Sequence, residues 1–142
     1  MQGVRIVGMS ILASVLYGIL HDQITAHLRI EYFTVFHERV VASDSPVLQG
    51  LVWGVIATWW VGLLLGVPLA LAARSGSWPP LAPRDLLRPI GCLLLAMALC
   101  AAIAGIWGYF TGLHHPDQIV LGLDRRDWAA VASPQKVALL PR

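Results

Sequence analysis

Three long apolar runs separated by short polar stretches organise the 142 residues of this chain. No charged residue occurs between Asp44 and Arg74, and none between Arg88 and Asp117. A helix needs about 20 apolar residues to cross a bilayer core, and both windows are longer than that. They predict membrane spans over 47–73 and 89–113. The first apolar run, 4–20, is shorter and sits behind the single Arg5. A cleavable signal peptide would close on a small-x-small site, whereas this run closes on Tyr17-Gly18-Ile19-Leu20, so an uncleaved first span is expected. The resulting fold class is all-α, a membrane-embedded bundle of three transmembrane helices forming one domain over 1–142, with a polar tail from 114.

Within the runs, small residues recur every fourth position. The second reads Gly50, Gly54, Thr58, Gly62, Gly66, Ala70; the third reads Ala96, Cys100, Ala104, Gly108, Gly112; the first has Ser10, Ser14 and Gly18. Lipid supplies no hydrophobic drive for helices to associate, so membrane helices rely on close backbone approach along such faces. The ladders predict packing seams, serving this chain's own bundle, a homo-oligomer or another membrane partner. Trp59 and Trp60 fall at the middle of the second run, where each indole N–H calls for an acceptor on a neighbouring helix. Pro68 is expected to kink the same helix.

Composition agrees with the pattern. Hydrophobic residues make up 57% and charged residues 13%, against roughly a quarter charged in a soluble domain. The net charge is +2 with basic residues scattered, which leaves no footprint for nucleic acid. The short connection 74–88 carries Arg74, Arg84 and Arg88 against Asp85 alone. The positive-inside rule therefore makes it cytoplasmic, together with the N-terminus, and puts 21–46 and the tail outside a bacterial inner membrane. Arg125, Arg126, Lys136 and Arg142 in the tail pull mildly the other way. Cys92 and Cys100 stand eight positions apart in one run, about 12 Å along a helix and too far for a disulfide.

Polar chemistry concentrates directly after the first span, where 21–40 holds three of the five histidines and three of the eight acids. At helical spacing His27, Glu31, Thr34 and Glu38 share one face, with Ile24, Leu28, Tyr32, Val35 and Phe36 on the other. An amphipathic helix lying in the interface over 21–41 is expected, with a short strand around Tyr32 to Phe36 as the alternative. His27 and Glu31, at i and i+4, could share a divalent metal ion, with His21, Asp22 and His37 close in sequence. The predicted topology brings His115 to the same side, with His114 and Asp117. The candidate metal ligands are thus His21, Asp22, His27, Glu31, His37 and His115, weighed against ordinary interfacial pairing with Arg29, Arg39 or headgroups. Asp22 and Glu31 would approach hydrocarbon if the first helix ran past Leu20, and an ionisable group there is a functional-site hypothesis by default.

No catalytic motif is present, neither HExxH, a phosphate loop, a Gly-x-Ser-x-Gly elbow nor Cys-x-x-Cys. No histidine lies inside an apolar run, which disfavours haem held within the spans. Three helices without an interrupted pair disfavour a transporter. Two functions stay open: a non-enzymatic helix-packing or interaction component, and a metal-binding or metal-dependent membrane protein with its site at the outer interface.

The stretch Tyr17-Gly18-x-x-His21-Asp22-Gln23-Ile24-Thr25, followed by Glu31-Tyr32-Phe33-Thr34 and His37, resembles that of a family of small bacterial multi-pass membrane proteins. The resemblance covers the first 40 residues and extends to Ala57-Thr58-Trp59-Trp60 and Arg84-Asp85-Leu86-Leu87-Arg88-Pro89. It brings no activity with it. It implies a fourth hydrophobic segment, which would follow Arg142 in the full-length protein.

Overall fold

A computed structural model describes residues 1–35, 37, 38, 40–77 and 79–114, the last three as backbone only. Four helices follow in order: α1 (Gln2–Leu28), α2 (Glu31–Thr34), α3 (Pro46–Arg74) and α4 (Pro83–His114). The described residues contain no strand, and α1, α3 and α4 are each long and apolar enough to cross a membrane. The chain divides into two compact units, Met1–Ala98 and Leu99–Arg142.

In the first unit α1 and α3 run antiparallel in backbone contact, and the small residues are the reason. Gly50, Gly54, Gly62, Gly66 and Ala70 are all buried on α3, as are Ser10 and Gly18 on α1. A Cβ placed on Gly54 would stand 2.5 Å from Ile19 Cα, and one on Gly62 would stand 2.5 Å from Ile11 Cα. The register runs evenly along the pair: Gly50 faces Asp22 and Gln23, Gly54 faces Gly18 and Ile19, Gly62 faces Ser10 and Ile11, and Gly66 faces Val7 and Ser10. Hydroxyls in the seam are satisfied within their own helices, Ser10 donating to the Ile6 carbonyl and Thr58 to the Gly54 carbonyl. With the glycine face turned to α1, Trp59 and Trp60 point away from it and are 48% and 50% exposed. The neighbouring-helix acceptor expected for them is not found among the described residues.

At the end where α1 begins, Ile6, Ala70, Ala73 and Leu86 form a buried cluster backed by Val7, Leu69 and Ile90. It joins the first turns of α4 to the α1–α3 pair. α4 starts at Pro83, six residues ahead of the expected span. Pro83 supplies a preset φ where no N–H is needed, and the Asp85 carboxylate accepts from the Ala82 N–H at 2.8 Å, half of a capping box. α3 likewise opens on Pro46 and continues through Pro68 as one helix. Beyond it Gly76 takes a φ of +96°, a conformation side chains resist, and the Leu81 N–H returns to the Ala73 carbonyl at 2.9 Å.

The segment after the first span differs from the expected interfacial helix. α1 does not stop at Leu20 but continues to Leu28, for a length of about 40 Å. Polar side chains in this extension bond backward along the helix: the Thr25 hydroxyl to the His21 carbonyl, and His27 Nδ1 to the Gln23 carbonyl. The helix breaks at Arg29 (φ −150°, ψ 80°), and α2 is a separate single turn. His27 and Glu31 therefore lie on different helices, and the continuous face through Thr34 and Glu38 does not form. The strand alternative does not form either, since Glu31–Thr34 is helical. Phe36 and Arg39 lie outside the described residues.

Candidate functional site

The polar end of the α1–α3 pair is built by folding the 29–45 connection back onto α3. Phe33 anchors it. Only 2% of this side chain is exposed, with its ring 6.3 Å from that of Trp53 and edge-on to Tyr32 at 5.0 Å. One glutamine ties α1 to α3 at this end and a second ties the connection down. Gln23 on α1 donates to the Val47 carbonyl in the first turn of α3, where that carbonyl is within reach. Gln49, fully buried, donates to the carbonyls of Val41 and Ser43. Those two acceptors fix the orientation of the amide, since its oxygen would repel them. Its Oε1 thus faces the other way, and neither it nor the buried Trp53 Nε1 finds a hydrogen-bond partner among the described residues.

His37 sits half-buried against this platform. Its ring lies 4.4 Å from that of Tyr32 and 5.1 Å from that of Trp53, and Nδ1 stands 2.8 Å from the Tyr32 carbonyl. A carbonyl only accepts, so Nδ1 carries the proton and Nε2 is the nitrogen left for an acceptor role in the neutral ring. The same holds for His27, whose Nδ1 donates to the Gln23 carbonyl at 2.7 Å. Asp22, half-buried on α1, interacts electrostatically with both His21 and His37, and His21 stacks on Tyr17 with the ring planes 17° apart.

Of the six ligands expected from sequence, the structure brings His21, Asp22 and His37 into one neighbourhood. His27 and Glu31 are exposed and on separate helices, and His115 lies outside the described residues. Among the described residues no three His, Cys, Asp or Glu side chains are grouped tightly enough to hold a metal ion. Sequence reasoning missed Tyr17, Gln23, Phe33, Gln49 and Trp53 as parts of this end. Gln23 and Gln49 offered a signal: each is a lone amide at the polar edge of an apolar run, where a side chain facing a second helix must find carbonyls to bond.

The arrangement defines a membrane protein of three long apolar helices, two of them in backbone contact and closed at one end by an aromatic and amide-bonded strap. No protein-family model, curated protein or solved structure matches the chain.

Proposed function

We propose that this chain is a multi-pass component of a bacterial inner membrane that acts by holding helices together rather than by catalysis, and that α4 associates with a second copy. One observation carries the reading. The small-residue faces of α1 and α3 are used up against each other, whereas α4 carries a ladder of its own, Ala96, Cys100, Ala104 and Gly108 at four-residue steps. Within the first unit, a Cβ on Gly91 of α4 meets nothing within 4 Å, while those on four α3 glycines collide with α1. A ladder of this kind can admit another backbone. The half-exposed indoles of Trp59 and Trp60, mid-helix on α3, add N–H groups that hydrocarbon cannot satisfy and a neighbouring helix can. The orientation, with Arg5 and the 74–88 loop cytoplasmic, is supported by their shared end of the molecule at the Ile6–Ala70–Leu86 cluster.

The native cysteines make the test direct, since both are free and exposed on α4. They lie eight residues apart, two four-residue steps along the same ladder, with Cys92 one step before Ala96. Mild oxidation in membranes should give a disulfide-linked dimer that disappears when Cys92→Ser and Cys100→Ser are combined. Monomer alone, in cross-linking and in the mass measured in detergent, would sink the pairing. Stoichiometric zinc, iron or manganese in the purified protein, lost on replacing His21 or Asp22 with Ala, would overturn the non-enzymatic reading in favour of the metal-dependent one.

A further inference from the structure

At the end opposite the aromatic strap, the start of α1 and the last turns of α3 leave a groove of about 450 Å³ between them. It is lined by Val4 and Val7 of α1 and by Val67 and Leu71 of α3, with Gln2 and Arg74 as polar members of the lining. The groove persists because the lining residues next to these are small, Gly3 and Ala70, and the seam that closes the pair further along has no bulky side chain to spare for it.

Basic side chains outnumber acids around it. Arg5 follows Val4 directly, Arg74 belongs to the lining, and Arg84 and Arg88 stand on the first turns of α4, whose Leu86 packs beside Ala70 and Ala73. The acid at this end is Asp85, 3.7 Å from Arg84. No acid among the described residues pairs with Arg74, Arg5 or Arg88. On α1 the first acid is Asp22, about 30 Å away along the helix axis. An apolar slot along two membrane helices with an unpaired guanidinium in its lining matches one kind of molecule, in which a hydrocarbon chain continues into an anionic phosphate. Arginine suits that role because its planar fork can take two phosphate oxygens together.

We propose that this groove holds one anionic phospholipid, its acyl chain between Val4 and Val67 and its phosphate on Arg74. The inference is independent of the pairing of α4 and needs only that α1 and α3 sit in a bilayer. Basic pockets between helices at a membrane surface bind lipid headgroups by this combination of charge and confinement.

Native mass spectrometry of the full chain released from detergent, titrated with phosphatidylglycerol or phosphatidylcholine, tests it. One tightly held phosphatidylglycerol is expected per chain, in clear preference to phosphatidylcholine. Arg74→Gln should weaken that binding about fivefold, the effect of one basic side chain at a lipid surface. Arg84→Gln, outside the groove and already paired with Asp85, should leave it unchanged. Val67→Trp should weaken it with no change in charge, because the indole fills the slot. Equal binding of the two lipids, an Arg84→Gln loss matching that of Arg74→Gln, or full binding by Val67→Trp would each overturn the proposal, as would displacement of the lipid by equimolar inorganic phosphate.

Discussion

Gly54→Ala should separate α1 from α3. The added methyl would lie 2.5 Å from both Cα and N of Ile19 and 2.8 Å from the Gly18 carbonyl carbon. All three are backbone atoms of a helix, so no rotamer change can relieve the clash; the helices must move apart and take the seam with them. Overpacking of a close interface costs about 1 to 3 kcal/mol, and the upper end is expected here because both sides are backbone. Gly62→Ala meets Ile11 Cα and the Ser10 carbonyl oxygen and should behave alike, without adding fully, since one displacement serves both. Gly8→Ala on α1 provides the contrast of sign. Nothing lies within 4 Å of its Cβ, so the substitution should gain about 0.5 kcal/mol from helix propensity alone. Unfolding in mixed detergent micelles, followed by circular dichroism, reads all three. Wild-type stability in Gly54→Ala would mean that α1 and α3 are not in backbone contact.

Phe33→Ala should release the strap at the other end. The ring is 2% exposed and bridges Tyr32, His37 and Trp53, so its removal leaves a void under a connection that has only one helical turn of its own. Emptying a buried phenylalanine site costs about 3 to 5 kcal/mol. α1 and α3 keep their seam without Phe33, which places most of the loss in the connection rather than in the helix pair. Amides of 30–35 should then exchange with solvent many times faster, while those of the Gly54–Gly62 region hold their protection. Unchanged exchange over 30–35 would show that the Gln49 amide, not the ring, fastens the strap.

These two sites were legible in the sequence to different degrees. The glycine ladder of α3 could be read directly, because a repeat of small residues at four-position spacing has few uses in an apolar helix other than close approach. Its partner on α1 was partly visible in Ser10 and Gly18, although the register that sets Gly54 on Ile19 was not. At the strap end, periodicity suggested a helix through 21–41. The backbone instead breaks at Arg29, because Phe33 is buried against Trp53, twenty residues further along the chain. A distant apolar contact of that kind outweighs local spacing, and spacing contains no record of it. The first helix ran past Leu20 for a related reason: Thr25 and His27 bond to carbonyls of their own helix, so polar residues there extend it rather than end it.

By itself the sequence determined the solvent and the elements, because runs longer than a bilayer core with almost no charge are stable only as helices whose backbone bonds close internally. It also determined which faces could pack closely, since only small side chains let two helix backbones meet. The tertiary structure decided which of those faces are occupied. α1 and α3 take each other, and the shared register gathers His21, Asp22 and His37 at one end while opening a slot beside Arg74 at the other. Such choices depend on how two surfaces fit along their whole length, a property of the pair that neither helix carries in its own residues.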